Sequence, residues 1–151
     1  MSTYVLKPLQ AVRRHEEQDA RTGWTTALDA RSNTEREAKL LASAVDEARE
    51  RLSCALYLGE ATAAKGTLRG ADLIGRAQHL EWLRTELRRG EQRLSAFRVG
   101  ALARARQREQ ETAAEFRQRR AEREVLDKHE DAHNEAARRE MDRRLERDSG
   151  G

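Results

Sequence analysis

The chain has 151 residues, of which 37% are hydrophobic, 4% aromatic and 38% charged. That is the length of one domain with too few apolar residues for a compact globular core, so a core one helix wide is expected. Thirty Lys and Arg against 27 Asp and Glu leave a net charge of +3. The two signs are interleaved, which reads as solvated helix surface laced with i,i+4 pairs and not as the one-sided basic face of a nucleic-acid binder.

A single cysteine, Cys54, excludes an internal disulfide and fits a reducing compartment. No apolar run approaches the roughly 18 residues that a bilayer span needs, so no direct membrane insertion is expected. The opening run from Met1 to Pro8 lacks a signal-peptide apolar region, and the expectation is a protein made and used in the cytoplasm.

Pro8 is the only proline, and it suits the first turn of a helix, where a missing N–H costs nothing. Leu9 and Val12 are expected to open the apolar face of that helix. A heptad frame follows in Ala20, Trp24 and Ala27, then Ala38, Leu41, Val45, Ala48, Leu52 and Ala55, spaced alternately four and three. Arg31 and Thr34 interrupt the frame, which predicts a weak middle stretch.

Gly59, Gly66, Gly70 and Gly75 concentrate the helix-breaking residues in one place. The turn is expected at Thr67, Leu68, Arg69 and Gly70, with Asp72 capping the next helix. That helix shows Leu80, Leu83, Leu87, Gly90, Leu94 and Phe97 at the same spacing. Gly90 and Gly100 lower helix propensity and are expected to admit the opposite helix closely. Beyond residue 100 the apolar positions thin out to Leu102, Ala113, Phe116, Val125, Leu126, Ala136, Met141 and Leu145.

The reading is therefore all-α: two long helices forming an antiparallel coiled-coil hairpin in a single domain, 1–151. Helix one covers about 8–62, the bend about 63–71 and helix two about 72–148. A bend near residue 67 sets residue i opposite roughly residue 134 − i, given antiparallel pairing at equal rise. Leu52 then falls near Trp82, Leu41 near Leu94 or Phe97, and Leu9 near Val125 and Leu126. Residues after about 127 are left without a partner.

His129-Glu130-Asp131-Ala132-His133 matches H-E-x-x-H, which on a helix sets two imidazoles on one face with a glutamate as general base. Its place on a hydrophilic overhang, without a third ligand or a pocket to exclude water, argues against catalysis and for two solvated histidines, with adventitious zinc or nickel binding through His129 and His133 as the alternative. No cofactor, metal or enzymatic activity is expected. The arginine-rich stretch from Arg104 to Arg123 is diluted by Glu109, Glu111, Glu115, Glu122 and Glu124 and reads as a solvated face. Trp24 and Trp82 read as seam residues. Leu56, Tyr57 and Leu58 cannot all face one seam, so an exposed apolar residue near the bend is expected. Cys54 reads as an incidental thiol, and no P-loop, dinucleotide fingerprint, CxxC or G-x-S-x-G is present.

The two ends of the chain resemble the FliJ/YscO family, the small coiled-coil stalk proteins of flagellar and virulence-type type III secretion. The N-terminal run Tyr4-Val5-Leu6-Lys7-Pro8-Leu9-Gln10-Ala11-Val12-Arg13-Arg14 is similar to that family's opening, an apolar pair and a proline-leucine step before a charged helix with Glu16 and Glu17. The run Glu124-Val125-Leu126-Asp127-Lys128, followed by Glu135 to Asp142, is similar to its charged tail. Met141-Asp142 stands where the family's tail often carries Gln-Lys, and the histidine pair is not a hallmark of the family.

The resemblance implies an architecture similar to the γ subunit of rotary ATP synthases. It implies paired terminal helices that sit in the central hole of a hexameric secretion ATPase and promote its assembly and activity. The middle of the rod would reach the cytoplasmic domain of the membrane export gate, with export chaperones as further partners. The ATPase-facing residues implied are Leu6, Leu9, Arg13 and Arg14 with Val125, Leu126, Arg138 and Arg139. The gate-facing candidates are Tyr57, Leu73 and Leu80. The residues by themselves leave open a generic cytosolic coiled-coil adaptor or scaffold, or a basic helical nucleic-acid binder.

Overall fold

The computed structural model describes residues 4–66 and 69–150. The chain is all-α. Helix α1 spans Lys7–Ala64 and α2 spans Gly70–Phe97; a π-helical turn, Arg98–Leu102, leads into α3, Ala103–Ser149. Pro8 sits in the first turn of α1, and the Lys7 N–H closes onto the Tyr4 carbonyl at 3.2 Å. At the other end of α1, Gly66 adopts φ of 65°, the left-handed conformation with which glycine commonly ends a helix. Thr67 and Leu68, on which half of the expected turn fell, lie outside the described residues. The Arg69 backbone N–H donates to the Asp72 carboxylate at 3.3 Å, so Asp72 does cap α2, from the third helical position.

Residue contacts divide the chain into two units. One is Asp29–Gln107 and holds the bend; the other joins Met1–Leu28 with Arg108–Gly151. Within each unit the helices run antiparallel. In the bend unit Glu35 meets Arg106, Val45 meets Gly90, and Gly59 meets Arg76. In the terminal unit Tyr4 meets His129, Arg13 meets Glu122, and Trp24 meets Phe116. The register at Val45 and Gly59 lies within about one residue of the expected one, because a tight turn between stiff helices leaves little freedom in pairing.

The bend unit has an apolar seam. Ala38, Val45, Leu83, Leu94 and Leu102 are buried, and Leu41, Ala48, Leu52, Leu80, Leu87 and Phe97 are half-buried between them. Its heptad frame is the expected one, with two corrections. At the level of Leu52 the buried seam residue is Leu83, while its neighbour Trp82 is 54% exposed, stacked on His79 of its own helix at 5.9 Å between ring centroids. Gly100 does not admit α1, since the nearest atoms to a Cβ there belong to Arg104 on its own helix. It sits in the π turn instead. The apolar step from Phe97 to Leu102 is five residues, the period of an i→i+5 turn, and the turn carries the seam across that step.

In the terminal unit the buried positions are Tyr4, Gln10, Ala20, Ala27 and Ala113. Leu9 and Val12 do not open the apolar face; both are exposed, and so is Val125. Helix periodicity explains the difference. Once Ala20 and Ala27 face the partner, the heptad positions that share their face are 24, 17, 13, 10 and 6, all buried or half-buried, which leaves Leu9 and Val12 to the side. Pairing also extends further than expected, to His133, which packs on Tyr4 at 5.5 Å. From residue 134 onward every described residue of α3 is exposed. Glu135–Arg139 and Glu140–Arg144 ion pairs at i,i+4 support that segment.

Candidate functional site

The terminal unit pairs through a lattice of charged side chains that flanks its buried alanines and the stacked rings of Trp24 and Phe116. Gln10, 4% exposed, donates from Nε2 to Glu130 Oε2 at 2.7 Å and to Asp127 Oδ1 at 3.4 Å. Arg13 Nη1 lies 2.8 Å from both Glu16 and Glu122. Arg119 reaches the same two carboxylates at 3.5 and 3.3 Å. Arg123 bridges Glu17 and Asp127, and Arg14 approaches Asp127 at 3.8 Å. A hydrogen bond from Gln118, with the nearby Arg13 and Arg119 guanidiniums, holds the Glu122 carboxyl below its ordinary value. Arg13 is pushed up, first by its hydrogen bond to Glu16, and Arg123 by its hydrogen bond to Glu17.

This lattice decides what the residues implied by the resemblance are free to do. Leu6 and Leu126 are half-buried, whereas Leu9, Val125 and Arg138 are exposed. Arg13 is committed to the lattice, Arg14 sits at its edge, and Arg139 pairs with Glu135 on its own helix. Val5, just ahead of α1, is 86% exposed, and Leu9 and Val12 in the first two turns of α1 are exposed apolar residues as well. A shallow groove of about 600 Å³ is lined by Tyr4, Val5, Lys7, Pro8 and Ala11.

The bend unit presents the other open surface. Tyr57 is 72% exposed and Leu58, Leu73 and Ile74 are exposed as well, so the expectation of an outward apolar residue near the bend holds. Leu80 differs from Tyr57 and Leu73: it is half-buried in the seam. A groove of about 610 Å³ is lined by Cys54, Ala55, Leu58, His79, Trp82 and Leu83 together with Glu47, Glu50 and Arg51.

The H-E-x-x-H segment is not on a free overhang. The Tyr4 hydroxyl and His129 Nδ1 are 2.8 Å apart, and the Tyr4 ring lies against both imidazoles, at 5.8 Å from His129 and 5.5 Å from His133. Glu130 is tied to Gln10. Burial, then the charges of Glu130 and Asp127, pushes the Tyr4 hydroxyl above 10.0. Among the described residues no group of three or more His, Cys, Asp or Glu is placed to hold a metal ion, and no helix is long and apolar enough to cross a membrane.

Sequence reasoning missed Tyr4, Gln10 and the Arg–Glu lattice as pairing residues. The signal was available in the register itself, which sets Arg13 opposite Glu122 and Glu16 opposite Arg119 to within about one residue.

These features define an all-α protein built on antiparallel helix pairs, with one seam of large aliphatic residues and one of alanines flanked by charged pairs. No family model matches the chain, and neither a curated protein nor a solved structure is significantly similar to it.

Proposed function

We propose that this protein is a cytoplasmic stalk of a type III secretion system, peripheral to the inner membrane, that engages and activates a hexameric secretion ATPase and links it to the export gate. The observation that carries the reading is the pairing of the chain's two terminal segments in one unit. Beside that pairing lie the exposed apolar residues Val5, Leu9, Val12 and Val125, and an α3 extension whose residues from 134 onward are exposed. A helix pair with exposed apolar residues and a charged extension suits insertion into a ring lined by complementary side chains. In this reading Leu9, Val125 and Arg138 make the outward contacts. Arg13 keeps the two helices in register, and Arg14 and Arg139 act at the edges of the ion pairs they already make. Tyr57 and Leu73, exposed near the bend, are the residues offered to the export gate, with Leu80 supporting them from the seam. The chain itself hydrolyses nothing.

The test is ATP hydrolysis by the cognate secretion ATPase with and without this protein. Stimulation that disappears when Val5, Leu9 and Val12 are changed together to Ser supports the stalk. Absence of both stimulation and co-elution overturns it and leaves a coiled-coil adaptor whose contacts lie at the Trp82 groove.

A further inference from the structure

The geometry points to a binding site for a divalent transition-metal ion at His129 and His133, oriented by Tyr4 and independent of the stalk reading. Two histidines four apart on a helix stand one above the other on one face, the spacing at which two imidazoles share an ion. That spacing alone is common. Here two further observations join it. His133 Nε2 is a buried nitrogen with no hydrogen-bond partner, and a buried polar atom without a partner costs free energy unless something satisfies it. In addition, the Tyr4 hydroxyl is 2.8 Å from His129 Nδ1.

A ligating histidine ordinarily donates its other ring N–H to an oxygen, which fixes tautomer and ring orientation. With His129 Nδ1–H donating to the Tyr4 oxygen, His129 Nε2 is left with its lone pair for the ion. Tyr4 is thus a positioning residue and the two imidazoles are the ligands. Glu130 Oε2 accepts from the Gln10 amide at 2.7 Å, and no group of three His, Cys, Asp or Glu among the described residues is placed to hold an ion, so Glu130 is not a third ligand. Because the Gln10 amide is neutral, the negative charge of Glu130 remains beside the imidazoles. Water completes the coordination on the exposed His129 side. Borderline ions that prefer imidazole nitrogen, Zn2+ and Co2+ among them, suit this donor set better than Mg2+ or Ca2+, which take oxygen.

Such an ion would fasten the Tyr4 segment to α3, because the hydroxyl that orients His129 belongs to the opposite side of the pairing. The experiment is calorimetric titration of the untagged chain with Zn2+, followed by Co2+ titration monitored through the shifts of the histidine ring protons in NMR spectra. Expected are one ion per chain, shifted resonances at His129 and His133, and loss of binding in His129→Ala and in His133→Ala. Far-UV circular dichroism of both variants should show the helix retained. Tyr4→Phe should weaken binding by about tenfold or more, the usual cost of removing an orienting partner, and amide protection of the Tyr4 segment should rise with Zn2+ in the unaltered chain alone. Absence of binding, or binding that survives loss of either imidazole, overturns the site. Unchanged affinity in Tyr4→Phe overturns the role given to Tyr4.

Discussion

Gly90 brings the backbone of α2 against Val45 of α1: a Cβ placed on Gly90 would stand 3.3 Å from Val45 Cγ2. Val45 is buried and β-branched, so it has little rotamer freedom with which to yield. Gly75, on the same helix, has nothing within 4 Å of its would-be Cβ. Alanine is favoured over glycine in a helix interior by about 1 kcal/mol. Gly75→Ala should therefore stabilise the bend unit by about that amount, whereas Gly90→Ala should lose most or all of the gain to the crowded contact. Denaturant melts of the two variants decide it, and equal gains would show that Val45 yields freely.

The terminal unit should be the salt-sensitive one. Its cross-helix ion pairs run through Arg13, Glu16, Glu17, Arg119, Glu122 and Arg123, beside the Trp24–Phe116 stack, while the bend unit carries Arg49–Glu91 and Glu35–Arg106 pairs but rests on Val45, Leu83, Leu94 and Leu102. At about 1 M salt the screening length falls to about 3 Å, and partly exposed ion pairs weaken far more than apolar packing. Hydrogen exchange should speed up over residues 4–28 and 108–133 and stay the same, or slow, over 38–55 and 80–102. A uniform response along the chain would mean that the lattice contributes little to pairing.

Acid should act on the same lattice. Glu122 is held below its ordinary value of 4.5, first by Gln118 and then by Arg13 and Arg119. A carboxyl with a depressed folded value stabilises fully above its unfolded value, and that contribution disappears as pH falls through the folded one. Terminal pairing should thus be intact at pH values above 4.5 and should loosen only below it. In Glu122→Gln the acid-dependent part of the loosening should shrink, which amide exchange at Arg13 and Arg119 would report.

The part of the fold legible in the sequence was the part that obeys one rule throughout. Ala38, Leu41, Val45, Leu52, Leu83 and Leu94 repeat at three and four, and every one of them faces the seam. Where the seam is made of Gln10, Arg13 and Glu17, hydrophobic periodicity has nothing to detect, and Leu9 and Val12 draw attention to the wrong face. Trp82 misleads for a related reason, since a large ring one position from Leu83 suggests burial although its face is set by its neighbours. The candidate surfaces near the bend could be read, because three consecutive apolar residues at 56–58 cannot share one stripe. The Tyr4–His129–His133 cluster could not, because it depends on pairing that continues past residue 127.

Alkali should release Tyr4. Burial, followed by the charges of Glu130 and Asp127, raises its hydroxyl above 10.0. The folded state favours the neutral phenol, so this contribution is complete below the unfolded value and is lost as pH rises through the folded one. The chain has two tyrosines, and in Tyr57→Phe the phenolate absorbance near 295 nm belongs to Tyr4 alone. Its titration midpoint should lie above 10.0 and drop back toward that value in a second variant that also carries Glu130→Gln. A midpoint that does not respond to Glu130 would contradict the close placement of the two groups.

The π turn offers a test of why the seam crosses Gly100 at all. Phe97 and Leu102 both face the seam, although five residues separate them, and an α-helix would bring residues 101 and 104 round instead. Deleting Gly100 shortens the step to four. The i→i+5 turn should then close into ordinary α-helix, with the former Leu102 still on the seam and no side chain left without room, because Gly100 contributes none. Stability of the bend unit should be unchanged or slightly higher. Deleting Arg93 between Gly90 and Leu94 should do the reverse, since that stretch is already α-helical and loss of a residue rotates Leu94 off the seam by about 100°, one residue's turn. If both deletions destabilise equally, the π turn does not absorb the extra residue. If only the Arg93 deletion does, the five-residue step is what the turn exists to accommodate.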